Sequence, residues 1–241
     1  PTFMGAHDFP DEYKNDKDKY VDLICNKMIP EIADKKLAVF CDVFCEEGYF
    51  SISESEKILN VAKSYGMIPK LHADEFKYFG ASKLARKIEA ISADHLMAIS
   101  DEGIDALSSS NVIATLLPGT TFFLKKNIYA NGRNLIDKGC EVALATDFNP
   151  GTCTIRSLST IMLLAMNFCG MTLEESFKAL TYNAAKAIGN ESIGMIKKNY
   201  YADLIFWDLN SLSEIPYWFD SNITKIKAVM KNGNIINSFN L

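Results

Sequence analysis

Short apolar runs alternate with amphipathic segments along most of this chain, and that alternation restricts the fold more than any other feature. The runs end at His7 and then cover Leu37–Cys45, Met67–Leu71, Ile91–Leu96, Val112–Leu117 and Val142–Thr146. Between them lie segments with helical periodicity. These are Asp16–Met28, the stretch from the capping box Ser51-Ile-Ser-Glu54 to Gly66, Ala81–Ala90, the stretch after the N-cap candidates Ser100 and Asp101, and one from Pro118-Gly119 to about Lys138. Parallel strands need a crossover between them, usually a helix, so this order predicts an α/β fold. Six such units amount to a (β/α)8 TIM-type barrel lacking two strands.

Two further helices are expected after the sixth strand, about Ile155–Phe168 and Thr172–Ile188, the second opened by the capping box Thr172-Leu-Glu-Glu175 and closed by Gly189. From Ile193 the pattern changes to short strands, Ala202–Asp208 and Ile226–Met230, with Asn232-Gly233 as a hairpin turn. The expected organisation is a partial barrel over residues 1–190 and a C-terminal β segment of a small composite domain over residues 191–241. Pro1 is not an initiator Met and a strand is already under way at Thr2, so the expectation is a piece of a longer chain lacking the first two strands.

Composition excludes several classes. A net charge of −5 with arginine only at 86, 133 and 156 offers no basic stripe for a phosphate backbone, so no nucleic-acid partner is expected. The longest uncharged apolar stretch, Ser157–Phe168, is too short to span a bilayer, and no signal peptide precedes the fold, so a cytoplasmic protein without a membrane partner is expected. The six cysteines lie in or beside apolar segments with no Cys-x-x-Cys spacing, which predicts buried, reduced thiols. The chain is 48% hydrophobic with a mean hydropathy near zero, enough for a large core. An open sheet edge would expose backbone groups and apolar surface, which favours aggregation or pairing as a homodimer.

The chemistry-bearing residues sit where strands end. His7, His72 and His95 close separate expected strands, and Asp147 follows the apolar run Val142–Thr146 just before the break Asn149-Pro150-Gly151. Barrel enzymes carry their catalytic groups at that end of the strands, whereas packing histidines would scatter over faces. Imidazole and carboxylate from separate strands suit one divalent ion, zinc or iron, that generates hydroxide near neutral pH. On that reading His72 and Asp147 are metal ligands, and Glu75 moves a proton between water and a leaving nitrogen. His95 orients or polarises a substrate carbonyl, while the Gly151 amide and Thr152 hydroxyl bind a substrate carboxylate at the start of the next helix. The alternative is structural: an Asx-type turn at Asp147 and Asn149, and a capping or surface role for Glu75.

Several stretches resemble the successive motifs of the imidazolonepropionase family of amidohydrolases, in collinear order over nearly the whole chain. They are Thr2-Phe-Met-Gly-Ala-His7, Asp42-Val-Phe-Cys-Glu46, Lys70-Leu-His-Ala-Asp-Glu75, Ser92-Ala-Asp-His-Leu96, Leu116-Leu-Pro-Gly119 and Ala145-Thr-Asp-Phe-Asn-Pro-Gly151. Ala184–Gly189 and Ala202-Asp-Leu204 resemble the superfamily's closing segment. The resemblance implies a metal-dependent barrel of the amidohydrolase kind that hydrolyses the cyclic amide-like C–N bond of 4-imidazolone-5-propanoate, giving N-formimidoyl-L-glutamate in histidine degradation. It implies metal on His72 and Asp147 and substrate contacts from His7, Glu75, His95, Asn149, Gly151 and Thr152. Glu75, His95 and Asp147 are the implied catalytic groups, with Asp147 taking a proton from the attacking water.

Two departures accompany the resemblance. The family's first-strand His-x-His and the arginine after it are not in this chain, which predicts weak metal binding and slow or no turnover for these residues alone. Asn199 stands where the closing segment usually has Gly, a mild change because Asn tolerates the left-handed conformation. The alternatives are another amidohydrolase, such as a heterocycle deaminase, or a non-catalytic barrel fragment serving as a binding or assembly module.

Overall fold

The computed structural model describes residues 1–221 and 225–238. Its strands are β1 Thr2–Ala6, β2 Phe40–Cys45, β3 Ile68–Ala73, β4 Ser92–His95, β5 Ile113–Leu116, β6 Val142–Leu144, β7 Leu204–Trp207, β8 Ile226–Lys231 and β9 Asn234–Ser238. The first six form one sheet in chain order, and β7, β8 and β9 form a second. β1 to β4 pair in parallel, while β7 with β8 and β8 with β9 pair antiparallel, as the α/β reading requires. The small antiparallel sheet lies within the segment expected from residue 191 onward.

Two compact units divide the chain, one of residues 1–114 with 135–141 and one of residues 115–134 with 142–241. The first unit's core is built by β2 and β3 against the helix Ile52–Ser64, which buries Ile58, Leu59 and Ala62 beneath Val43, Phe50 and Leu71. Each large apolar side chain fully buried there contributes about 1.5–3 kcal/mol. Ser51 starts the helix by accepting the Glu54 amide at 3.3 Å, while Glu54 returns to the Ser51 amide at 2.7 Å, two bonds that satisfy otherwise orphaned amides. The second unit buries Ile161, Met162, Leu164 and Ala165 of the helix Leu158–Phe168 with Leu116 and Cys153.

Three helices differ from the pattern reading, each for a local reason. Asp16 caps the first, but the helix does not stop at Met28: Lys17–Leu23 passes through a π-helical turn, Ile24–Met28, into Ile29–Asp34. The turn bonds the Ile29 amide to Ile24 O and so re-routes the ladder just before Pro30, which has no amide to offer. The helix expected up to Lys138 is two, Pro118–Phe123 and Gly132–Asp137, separated by a loop in which Lys125 adopts a φ of 54°. Thr172–Ile188 is also two helices, Leu173–Leu180 and Tyr182–Ala187, broken at Thr181, whose hydroxyl bonds back to Phe177 O.

Asn199 sits at φ 70°, the left-handed conformation expected for a residue in a glycine's place. All six cysteines are free and buried, and burial pushes the Cys41, Cys45 and Cys169 thiols up to about 12, so they are poor nucleophiles. No helix of the described residues is long and apolar enough to cross a membrane.

Candidate functional site

In the first unit the side chains converge on Asp42. Side chains alternate along a strand, so β3 turns Lys70 and His72 to one face and Leu71 and Ala73 to the other. Parallel register sets Asp42 beside Lys70 and Phe44 beside His72, which places the Asp42 carboxylate on the His72 face. Its Oδ1 lies 3.0 Å from His72 Nδ1 and 3.5 Å from His7 Nε2. The His7 and His72 rings meet edge to face with centroids 4.6 Å apart. Burial alone would raise the Asp42 carboxyl, but charge on His72 and the contacts from both imidazoles outweigh it and hold the group far below the usual carboxylate range.

His95 reaches this cluster by breaking a rule. Register pairs His72 with Asp94 and Ala73 with His95, so alternation alone would turn His95 to the opposite face. Instead His95 and Leu96 take positive φ, 78° and 60°, and the His95 ring lies 5.0 Å from that of His72. A left-handed backbone costs about 1–2 kcal/mol at each such residue. Burial, reinforced by charge on His72, drives the His95 pKa well below that of a free imidazole, so the ring is neutral at neutral pH.

Glu75 is buried in the turn after β3, with Oε1 3.5 Å from His95 Nδ1. Two carboxylates hold that turn. Glu46, at the end of β2, accepts the Glu75 and Phe76 amides at 2.9 and 3.0 Å. Asp74 accepts four amides, from Phe79 to Ser82, and so folds the loop back onto the helix Ala81–Lys87. His7, His72, Glu75 and His95 are thereby brought together in one unit.

The second unit holds Asp147, Asn149, Gly151 and Thr152. Asp147 has a φ of 51°, and its Oδ2 accepts the Thr120 hydroxyl at 2.5 Å. Gly119, the residue before Thr120, is closely packed: a Cβ there would stand 2.7 Å from Ile161 Cδ1, 3.2 Å from Cys153 Sγ and 3.4 Å from Thr146 O. Asn149 organises the rest: its Oδ1 accepts the Gly151 and Thr152 amides at 2.9 and 2.7 Å, and its Nδ2 donates to Asp147 O at 2.8 Å. This is the Asx-type turn of the structural alternative. Gly151 and Thr152 do not open the next helix, which is a correction to the sequence reading: that helix starts at Leu158 with Ser157 as its cap, and the intervening residues have no helical bonds.

The sequence profile of the amidohydrolase family matches residues 1–236. The chain belongs to the amidohydrolase family. Proteins named imidazolonepropionase from Clostridium tetani and Bacteroides fragilis are 47% and 46% identical to it over 98% and 97% of this chain. The chain spans 56% and 55% of their lengths, about half of each. Among solved structures, a zinc-bound adenosine deaminase from Xanthomonas campestris matches with a TM-score of 0.71 at 17% identity, over 96% of this chain and 59% of its own. A 5-methylcytosine deaminase from Klebsiella pneumoniae matches with a TM-score of 0.74 at 13% identity, over 93% and 60%. At those identities the likeness shows the amidohydrolase α/β fold.

This amidohydrolase has donors that fit a divalent ion. One ligand atom each from His7, Asp42 and His72 lies within 4.8 Å of the others, a two-imidazole, one-carboxylate set suited to a borderline cation. His7 Nε2 is buried without a hydrogen-bond partner, which a cation or a polar ligand atom would satisfy. Asp42, Glu46 and Thr120 received no role from the sequence. A signal was there for Asp42, since a charge inside the apolar run Leu37–Cys45 must find a partner.

Proposed function

We propose that the whole protein hydrolyses the amide-like C–N bond of 4-imidazolone-5-propanoate to N-formimidoyl-L-glutamate, a step of histidine degradation. The observation that carries this reading is the 47% identity to an imidazolonepropionase over 98% of the chain, in which His7, His72 and His95 lie at strand ends and Glu75 in the turn after β3. His72 and Asp147 would hold one divalent ion, zinc or iron, as the resemblance of their motifs to the family's implies. Such an ion lowers the pKa of a water so that hydroxide forms near neutral pH.

The chain's own residues would do the rest. Asp147 takes a proton from the attacking water, and Glu75 delivers one to the ring nitrogen as the C–N bond breaks. His95, neutral through burial, donates an N–H to the carbonyl oxygen as negative charge develops on it. His7, Asn149, Gly151 and Thr152 contact the substrate's polar groups. For Gly151 and Thr152 this requires the Gly151 amide and the Thr152 hydroxyl to exchange the Asn149 carbonyl for a substrate oxygen.

The test follows imidazolone absorbance on adding metal-loaded protein, with His72→Ala and Asp147→Ala alongside. Loss of absorbance in the wild type and not in the variants is expected. Ammonia release from a purine or pyrimidine ring, with imidazolone untouched, would instead identify a deaminase. A protein that neither binds metal nor turns over either class would be a binding module.

A further inference from the structure

We propose that Asp42 is a positioning residue, which accepts the Nδ1–H of His72 and thereby presents the Nε2 lone pair of that imidazole to the metal. This rests on the reading of His72 as a ligand. A neutral imidazole has one N–H and one lone pair, and an ionised carboxylate only accepts. The 3.0 Å bond between Asp42 Oδ1 and His72 Nδ1 therefore demands the proton on Nδ1 and leaves the lone pair on Nε2. His7 approaches the same oxygen at 3.5 Å, outside hydrogen-bond geometry, so His72 is the partner that Asp42 binds first.

Burial makes the bond obligatory. Asp42 is 3% exposed, and a buried carboxylate that lost its donor would be left uncompensated. The neighbouring strand fixes the geometry, because register pairs Phe44 with His72 and Asp42 with Lys70. The carboxylate thus reaches His72 from two residues deeper along the same face, on the side away from the strand end. Asp42 as a direct ligand is the competing possibility, since its carboxylate lies near both imidazoles. An ion between Oδ1 and Nδ1 would have to expel the proton that now joins them.

Long-range proton–nitrogen NMR correlations of the metal-free protein, above the imidazole titration range, read which nitrogen of His72 carries the proton. The expected result is Nδ1–H in the wild type and a shift toward Nε2–H in Asp42→Ala. Zinc affinity, measured against a competing chelator, is expected to fall about 10–100-fold in Asp42→Ala, with Asp42→Asn in between because its amide oxygen still accepts. Loading with an NMR-visible cadmium isotope should give coupling to Nε2. Nε2–H in the wild type, cadmium coupling to Nδ1, or an unchanged tautomer in Asp42→Ala would each overturn the proposal. The wild-type spectrum decides even if the variants fail to fold. A wild type that binds no zinc would break the functional reading, whereas the metal-free tautomer still reports on the Asp42–His72 bond itself.

Discussion

The two units organise their polar groups in opposite ways. In the first, the ties at the imidazole cluster span strands, Asp42 and His72 being 30 residues apart in sequence and Glu46 and Glu75 29 apart, with both acceptor carboxylates buried, while Asp74 holds the following loop locally. In the second, Asn149 satisfies itself within three residues, through Asp147, Gly151 and Thr152, in a turn that is largely solvent-accessible. Thr120–Asp147 is one long-range tie there, beside the Arg133–Glu175 ion pair and the Asn183 amide that donates to Val142 O. The difference separates groups held by sheet register, which a ligand finds already in place, from groups held by a local turn, which a ligand must partly unmake. Preorganisation in the first unit therefore comes from packing, and in the second from short-range hydrogen bonds.

The contrast breaks hardest at His72. His72→Ala is expected to weaken metal binding by more than the ~10–100-fold that loss of an orienting partner costs, measured against a chelator. An equal loss in Asp147→Ala would tie both residues to one ion, and wild-type metal content in either variant would remove that residue from the ligand set. Next comes Glu75→Gln, for which kcat should fall about 100–10,000-fold. Its fold should hold, because Glu46 grips the backbone amide of residue 75 and not its side chain. A kcat within a factor of about ten of wild type would reassign the proton transfer, since that lies below the range of general acid–base effects.

Acid sharpens the contrast further. An unfolded chain protonates His95 near the ordinary imidazole value of 6.5, and the folded chain, with its depressed pKa, does not. Stability should thus fall as pH drops below 6.5, by at most about 1.4 kcal/mol per pH unit from this group, and His95→Gln should flatten the slope in urea melts. Asp42, whose pKa is also depressed, adds its own loss only below the carboxylate range, about 3.8. An unchanged slope in His95→Gln would mean that the ring already titrates freely. The smallest effect is expected from Asn149→Ala, about 1 kcal/mol of thermal stability, because the lost bonds are local and partly replaced by water. A loss of several kcal/mol would show that the turn supports more than itself.

Strand ends were readable in the sequence. His7, His72, His95 and Asp147 stand out in sequence because each closes an apolar run, and each is at or just past a strand terminus in the fold. The capping boxes at Ser51 and Thr172 were equally plain, since their bonds join residues three apart. Asp42 was visible only as an acid in an apolar strand, with no clue to the histidine one strand away. Glu46 gave less, because its partners are amides, which every residue carries. The breaks at Thr181 and after Phe123 were missed because periodic apolar spacing runs through them unaltered.

What the chain determined alone was everything of short range: the alternation of strand and helix, the caps, the Asn-Gly hairpin and the Asx turn at Asn149. These depend on propensity and on bonds between near neighbours. The tertiary structure decided which carboxylate meets which imidazole, and that His95 turns to the His72 face against the alternation of its strand. Register between strands sets those meetings, and it is fixed only when buried faces pack against one another over tens of residues.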